Sequence, residues 1–212
     1  MMAFVDSAEV LNPARMRLSP NHQQPSLTPD LLARVGKGDA QAFAQCYEQS
    51  SSVLFTLALR ILNNRDEAAE LLQDVYIEAW RKAGSFDPKR GSPMAWLITL
   101  TRSRAIDRLR ASASRGRNLT DSLEETSADD LRSALPDPFD THALEELRMF
   151  VMEAFNDLPA PQQEAIELAF YGGLTHAEIA AKLDKPIGTV KTRIKLGMNK
   201  LRYALRPCWE AK

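Results

Sequence analysis

The fold is indicated most clearly by one stretch near the end of the chain, Pro186-Ile-Gly-Thr-Val-Lys-Thr-Arg-Ile-Lys-Leu-Gly-Met-Asn-Lys-Leu201. Its apolar residues Val190, Ile194 and Leu201, with the small Gly197, recur at helical spacing and predict one buried face. The other positions carry hydrogen-bond donors, and no acid interrupts them: Thr189, Lys191, Thr192, Arg193, Lys195 and Asn199. Such donors suit phosphate oxygens and base edges in a major groove, so the stretch predicts a basic recognition helix.

A shorter helix is predicted immediately upstream. Thr175-His-Ala-Glu178 has the Thr-x-x-Glu form of a capping box, and a helix from Ala177 to Leu183 follows it. Only Asp184 to Pro186 joins this helix to the basic one. Two helices connected so tightly, the second of them basic, predict a helix-turn-helix. A surface helical hairpin with solvated lysines is the alternative.

Charge along the chain favours the DNA-binding alternative. The net charge of the 212 residues is only -1, yet from Lys182 to Arg206 the one acid is Asp184 and cations dominate.

The two cysteines, Cys46 and Cys208, lie far apart in the sequence, and their spacing is typical neither of a zinc site nor of a disulfide framework. Cys46 is predicted to be buried and inert. A secretory signal and a membrane-spanning apolar run are both lacking, which predicts a cytoplasmic protein.

Helical periodicity without strand signals predicts an all-α chain of two small helical domains. Residues 1–26 form a predicted disordered leader, and residues 27–111 form the first helical domain. Residues 112–141 are rich in Ser, Asp and Glu and predict a flexible acidic linker. The second domain, residues 142–212, ends with the helix-turn-helix.

The most informative helix of the first domain is predicted to open at Asp66. Its inward stripe consists of Ala68, Leu71, Leu72, Val75 and Ala79. A second stripe is wholly acidic and consists of Glu67, Glu70, Asp74 and Glu78. Acids at this spacing repel one another, so the stripe favours a basic protein partner over a merely solvated face, although both interpretations are open.

A tryptophan lies off the core stripe of the following helix, Met94 to about Arg110. The buried stripe is predicted to hold Met94, Leu97, Ile98, Thr101 and Ala105, whereas Trp96, Thr99, Ser103 and Arg110 fall on the opposite side. Burial of Trp96 under another helix is one explanation. Stacking on an unpaired base is the other, and nearby cations, Arg102 and Arg110 among them, favour it.

Sequence motifs for catalysis are absent. The chain has no Gly-rich phosphate loop, HExxH or GxSxG, and His22, His142 and His176 are isolated from one another. We therefore expect no enzymatic activity, no metal, no cofactor and no small-molecule substrate.

Taken in order, these segments resemble the extracytoplasmic-function group of bacterial RNA polymerase sigma factors. The resemblance rests on the acidic segment Asp66 to Trp80, on Ala95-Trp96-Leu97, on the basic run Ala105 to Arg110, and on Leu158-Pro159. Glu178-Ile-Ala180 and Gly188-Thr-Val-Lys-Thr-Arg193 complete it. The resemblance implies two domains, sigma region 2 and sigma region 4, that bind core polymerase and promoter DNA. It also implies control by an anti-sigma factor, often bound to the membrane.

The resemblance also implies roles for particular residues. It assigns docking on core polymerase to Glu70, Gln73, Asp74 and Glu78. The resemblance assigns recognition of the -10 element, with one base flipped out of the stack, to Phe86, Trp96, Thr99, Ser103, Arg102 and Arg110. It assigns recognition of the -35 element to Thr189, Lys191, Thr192, Arg193, Lys195 and Lys200. Many relatives have Asn where this chain has Ser103, so the -10 sequence is left open.

Two other functions are compatible with parts of the pattern. An operator-binding regulator would use the helix-turn-helix, but it needs neither the acidic stripe nor Trp96. A sigma mimic that titrates an anti-sigma factor would not need the DNA-facing cations of the last helix.

Overall fold

In a computed structural model, residues 27–114 and 142–206 are described, and within these ranges the chain is helical and contains no strand. The helices are α1 (Pro29–Gly36), α2 (Ala40–Leu62), α3 (Arg65–Lys82), α4 (Pro93–Ser114), α5 (His142–Asn156), α6 (Ala160–Phe170), α7 (His176–Lys182) and α8 (Ile187–Ala204). Two short 3-10 turns, Ala83–Ser85 and Pro88–Arg90, join α3 to α4. The all-α prediction is confirmed.

Side-chain caps fix where several helices begin. Thr28 caps α1 through a bond from Leu31 N, and Asp39 caps α2 through bonds from two backbone amides. These amide bonds, together with the Arg34 side chain, lower the pKa of the Asp39 carboxyl. The predicted start of α3 at Asp66 was wrong by one residue, because Asn64 is the cap and accepts from Glu67 N.

The core of the first domain forms where α1, α3 and α4 pack around α2. Leu32, Leu54 and Leu97 are fully buried in it, and Phe43 packs edge-on to Trp80 at 5.0 Å. The whole predicted inward stripe of α3 is buried. On α4 the prediction holds for Leu97, Thr101 and Ala105, whereas Met94 and Ile98 are half-buried. These helices present α3 and α4 side by side at one surface.

One polar network lies inside this core. The Ser50 hydroxyl donates to the Cys46 carbonyl at 2.6 Å and is 2.6 Å from the Tyr76 hydroxyl. Burial raises the pKa of the Tyr76 hydroxyl above its ordinary value, and it also raises that of the Cys46 thiol. Cys46 is buried, as predicted; Cys208 and its segment lie outside the described residues.

The second domain is assembled around α6 and α8. At Gly197 a Cβ would lie 2.6 Å from Ile166 Cδ1, so the two helices cross closely at this glycine. Thr175 and Glu178 form the predicted capping box at the start of α7. Asp184 adopts a left-handed conformation in the short connection to α8. The predicted helix-turn-helix is therefore present, with α8 as its second helix.

Some boundaries differ from those expected. Helix α4 continues to Ser114, past the predicted start of the linker at residue 112, and α6 begins at Ala160. The proline at the second position of α6 is compatible with a first helical turn, because the amide it lacks has no intrahelical partner there. The predicted leader and nearly all of the predicted linker lie outside the described residues.

Candidate functional site

The acidic stripe of α3 faces arginines from α4, a contact that was not predicted from the sequence. The Arg104 Nε and Nη2 atoms donate to the two carboxylate oxygens of Glu78 at 2.6 and 2.7 Å. Lys82 Nζ donates to the same carboxylate at 2.6 Å. These bonds lower the pKa of Glu78 from 4.5 to about 2. The carboxylate of Glu78 is therefore already paired within the first domain.

The next two acids of the stripe share one arginine. Arg108 Nη2 lies 3.0 Å from Asp74 Oδ2, and Arg108 Nη1 lies 3.4 Å from Glu70 Oε2. The side chain of Arg108 is only 25% exposed, whereas those of Glu70 and Asp74 are 73% and 63% exposed. Both carboxylates therefore keep an open side toward solvent, and a single cation relieves their mutual repulsion.

The stripe also borders an exposed apolar residue. Ile77 is 51% exposed, four positions after the exposed Gln73 and three after Asp74. A large apolar side chain on the open face of an otherwise polar helix surface suits a protein contact. Ile77 was not among the predicted docking residues, although its spacing from Gln73 and Asp74 was a usable signal.

Trp96 and Phe86 lie together at the edge of the first core. Their ring centroids are 6.0 Å apart at an interplanar angle of 64°, and both rings are half-buried against the core cluster. The stretch from Gly84 to Pro93, which contains Gly, Pro, Asp and Ser, predicts an exposed loop, but Phe86 within it is half-buried. Trp96 is partly packed and partly accessible. It is therefore neither fully buried under another helix nor fully free to stack on a base, the two interpretations left open by the sequence.

Thr99 and Ser103 continue this face along α4. Both are exposed, and the Thr99 hydroxyl donates to the Ala95 carbonyl at 2.7 Å. A hydroxyl that donates one hydrogen bond keeps its acceptor lone pairs, so the exposed Thr99 oxygen can still accept a hydrogen bond from a base. Trp96, Thr99 and Ser103 thus recur at helical spacing on one side of α4.

The two predicted -10 arginines are engaged by the second domain. Arg102 donates to the backbone carbonyls of Phe170 and Ala169, and Arg110 donates to the carbonyl of Gly173. These contacts could not be predicted from local sequence patterns, because they depend on how α4 meets the end of α6.

The basic face of α8 is open. Thr189, Lys191, Thr192, Lys195 and Lys200 are exposed, as predicted. No ion pair joins any of the three lysines to another described residue. The cations of this face are therefore available to phosphates or bases.

Arg193 and Thr192 differ from the other members of this set. Arg193 is half-buried, because it follows the buried Val190 by three positions and lies on the flank of the core stripe. The Thr192 hydroxyl donates to the Gly188 carbonyl at 2.8 Å.

At the start of α7, backbone and side-chain bonds with Thr175 lower the pKa of Glu178.

Within residues 27–114 and 142–206, no cluster of three or more His, Cys, Asp and Glu side chains is placed to hold a metal ion. Over the same ranges, no helix combines the length and apolar character that a membrane crossing requires.

The helix-turn-helix and its open cations define a DNA-binding protein, and comparison with known proteins gives the class. Residues 46–115 match the sigma-70 region 2 family, and residues 150–201 match the sigma-70 region 4 family. These two matches lie in the order of the two helical domains.

Two similar proteins are named ECF RNA polymerase sigma factors. The chain is 35% identical over 191 residues to the ECF RNA polymerase sigma factor SigK of a Mycobacterium species, covering 85% of this chain and 93% of the relative. It is 33% identical over 184 residues to SigK of Mycobacterium tuberculosis, covering 85% and 96%. A solved structure of Rhodobacter sphaeroides SigE in complex with the anti-sigma ChrR is 29% identical, covering 82% and 95%, with a TM-score of 0.41.

This chain belongs to the extracytoplasmic-function family of RNA polymerase sigma factors. Sigma factors are initiation subunits without enzymatic activity of their own, so the expectation that the chain is not an enzyme is confirmed by its family.

Proposed function

We propose that this chain is an alternative sigma factor that docks on core RNA polymerase through α3 and places α4 and α8 on promoter DNA. The observation that carries the proposal is the separation of two surfaces of opposite sign. The exposed carboxylates of Glu70 and Asp74 lie on the first domain, and the open lysines of α8 lie on the second. An operator-binding regulator has no use for the first surface.

Docking on core polymerase is assigned to Glu70, Gln73, Asp74 and the exposed Ile77. Exposed ion pairs contribute about 0–1 kcal/mol, so a basic partner can replace Arg108 at low cost. Glu78 differs, because Lys82 and Arg104 already occupy its carboxylate. We assign Glu78 to holding α3 against α4, with a smaller direct part in docking than the sequence implied.

Recognition of the -10 element is assigned to the face of α4. The half-buried Trp96 offers one accessible side to a base, and Phe86 supports it from behind. Thr99 and Ser103 border the same face and can form hydrogen bonds with a flipped base. Arg102 and Arg110 would hold the phosphates of the separated strand.

Recognition of the -35 element is assigned to α8. Thr189, Lys191 and Thr192 lie near its N-terminus, which enters the major groove in proteins of this type. Lys195 and Lys200 lie farther along the helix and suit phosphates. Arg193 reaches the groove from the flank of the core stripe, where its planar guanidinium would read a base.

The domain limits and the regulation belong to the same proposal. Region 2 would occupy residues 27–111 and region 4 residues 142–212, joined by residues 112–141 and preceded by a leader of residues 1–26. An anti-sigma factor would cover exposed apolar side chains of α5, including Met149 at 61% exposure. The protein would act in the cytoplasm, where the polymerase and the chromosome are found.

Transcription with core polymerase on a library of randomised promoters tests this function. We expect start sites only when the chain is present, downstream of two enriched elements at fixed spacing. A matched reaction with Glu70→Lys/Asp74→Lys should give no enrichment, and Glu48→Lys, which alters an exposed acid outside all the assigned surfaces, should behave as wild type. If no promoter is enriched with the wild-type chain, the proposed function is wrong.

A further inference from the structure

The end of α1 meets the loop that carries Phe86 at a contact between two glycines. This loop, residues 83–90, contains the two 3-10 turns between α3 and α4, and we call it the Phe86 loop. A Cβ at Gly36, the last residue of α1, would lie 2.6 Å from Gly84 N and 2.7 Å from Gly84 Cα. Non-bonded carbon atoms approach one another at about 3.5–4.0 Å, so position 36 has room only for glycine. The backbone of α1 therefore packs directly against the backbone of the Phe86 loop.

Helix α1 is anchored on both sides of this contact. Before it, the side chains of Leu32 and Val35 are 0% and 2% exposed in the core of the first domain. After it, the Arg34 Nε and Nη2 atoms donate to Asp39 Oδ2 at 2.9 and 2.7 Å across the turn that follows the helix. Buried side chains and an ion pair thus fix the position of Gly36.

The Phe86 loop connects the glycine contact to the face of α4. Phe86 N donates to the Ala83 carbonyl at 3.1 Å, which closes the turn around Gly84. The Phe86 ring packs against Trp96, with 6.0 Å between the ring centroids. Ala83 is buried, whereas Gly84 is exposed and has solvent on its other side. A displacement of Gly84 therefore also displaces Phe86 relative to Trp96.

We propose that Gly36 is a positioning residue for recognition of the -10 element: the end of α1 sets the place of the Phe86 loop and, through it, the distance between Phe86 and the face of α4 that receives the base. This inference rests on the proposed function, because it takes Phe86 and Trp96 as -10 residues. Gly36 acts through Phe86 and does not contact DNA itself. It adds α1, which carries none of the predicted docking or DNA-binding residues, to the parts that determine promoter choice.

Gly36→Ala tests the contact, because one methyl group must displace backbone atoms. The new Cβ and Gly84 must separate by roughly 1 Å to reach ordinary contact. The buried face of α1 resists this movement, so the exposed loop yields and carries Phe86 with it. A misplacement of about 1 Å can cost about a hundredfold in rate. We expect promoter opening to slow by at least about tenfold and the base preference at one -10 position to weaken.

Two controls separate this effect from the loss of a glycine and from lost stability. Gly84→Ala makes the same substitution on the other side of the contact, but its Cβ would lie 3.7 Å from the Gly36 carbonyl oxygen, an ordinary contact distance. Leu54→Val shortens a fully buried side chain of α2 and lowers stability without pushing on the loop. We expect both controls to keep the wild-type -10 preference.

Arg34→Gln is a second variant, which loosens the end of α1 without a clash. It removes both bonds to Asp39, and the Arg34 side chain is 42% exposed, so we expect this variant to fold even where Gly36→Ala does not. The same -10 position should lose preference by about threefold, the scale of a partly exposed ion pair.

Each full-length variant is measured with core polymerase. Transcription from the library of randomised promoters gives the base preferences at the -10 and -35 elements, and permanganate reactivity follows promoter opening. Both are normalised to the chain that a pull-down recovers with core polymerase, so unfolded molecules do not contribute. Hydrogen exchange of residues 83–86 in the free chain reports on the loop. For Gly36→Ala we expect faster exchange there, with core binding and -35 preference as in the wild type.

The outcomes separate this inference from the proposed function. If Gly36→Ala and Arg34→Gln both keep the wild-type -10 preference and opening rate, the inference is overturned, while promoter-specific transcription by the wild type still supports the proposed function. Equal changes in Gly36→Ala and in either control would also overturn it, because the close contact would not be their cause. If the wild type enriches no promoter, the proposed function fails and this inference fails with it.

Discussion

Arg104 and Glu78 form a two-bond ion pair between α4 and α3, with Nε and Nη2 of the arginine 2.6 and 2.7 Å from the two carboxylate oxygens. The pair ties the proposed polymerase-docking helix to the proposed -10 helix. Its strength comes from the planar guanidinium, which matches both carboxylate oxygens at once. The contribution of this pair to stability therefore depends on the ionisation of Glu78.

The first prediction follows from the pKa of Glu78, which is lowered from 4.5 to about 2 mainly by Arg104 and then by Lys82. A carboxyl with a depressed pKa in the folded state contributes stability above its unfolded pKa and loses it as pH falls through the folded value. We expect Glu78→Gln to lower the free energy of unfolding at pH 7. The difference from wild type should shrink between about pH 4.5 and 2. Urea unfolding at several pH values measures this, and a difference that is constant down to pH 2 would contradict it.

The second prediction concerns docking. Glu70→Lys/Asp74→Lys should abolish binding to core polymerase, because both exposed carboxylates become cations beside Arg108. The neutral variant Glu70→Gln/Asp74→Asn should weaken binding less, since it removes attraction without adding repulsion. A pull-down with core polymerase measures both. Equal binding by wild type and the lysine variant would reject the docking surface.

The third prediction concerns Trp96. Trp96→Ala should slow promoter opening, followed by permanganate reactivity of the -10 thymines in the complex with core polymerase. Because the ring is only half-buried against Phe86, the free energy of unfolding should fall by less than the roughly 3–5 kcal/mol expected of a buried tryptophan. Normal opening in the folded fraction, together with a large loss of stability, would make Trp96 a core residue only.

The fourth prediction distinguishes residues of α8 that contact bases from residues that contact phosphates. Arg193→Ala should relax the preference at one position of the -35 element and cost about 1–3 kcal/mol there. Lys200→Ala should weaken all sequences alike and lower the salt slope by about one. Promoter selection with each variant and core polymerase distinguishes them. If Arg193→Ala keeps the wild-type preference at every position, the assignment of Arg193 to a base is wrong.

Local patterns were sufficient to predict most of the fold. The capping box of Thr175 and Glu178 and the inward stripe of α3 are each encoded within a few residues, so capping rules and periodicity identify them. The exposure of the α8 lysines followed from the same reasoning. Arg193 was the exception, because a position on the flank of a stripe is buried or exposed according to what packs beside it.

Contacts between helices could not be predicted in this way. Arg104 and Arg108 belong to the cations of α4 near Trp96, yet they pair with the acids of α3, because α3 and α4 pack side by side. Residues far apart in sequence are also joined by the hydrogen bond between Ser50 and Tyr76 and by the hydrogen bond from Arg102 to a carbonyl of α6. Such pairs depend on tertiary packing, which local spacing does not determine.

The most direct test of the central claim is a titration of one duplex promoter with the chain alone and with the chain plus core polymerase. The duplex is one selected by transcription from the library, and a scrambled duplex serves as control. Each domain presents a small surface that needs the polymerase to set its spacing, so we predict sequence-specific binding only with core polymerase. Alone, the chain should bind both duplexes weakly and alike. Tight, specific binding by the chain alone, unchanged by core polymerase, would contradict the account and identify an operator-binding regulator instead.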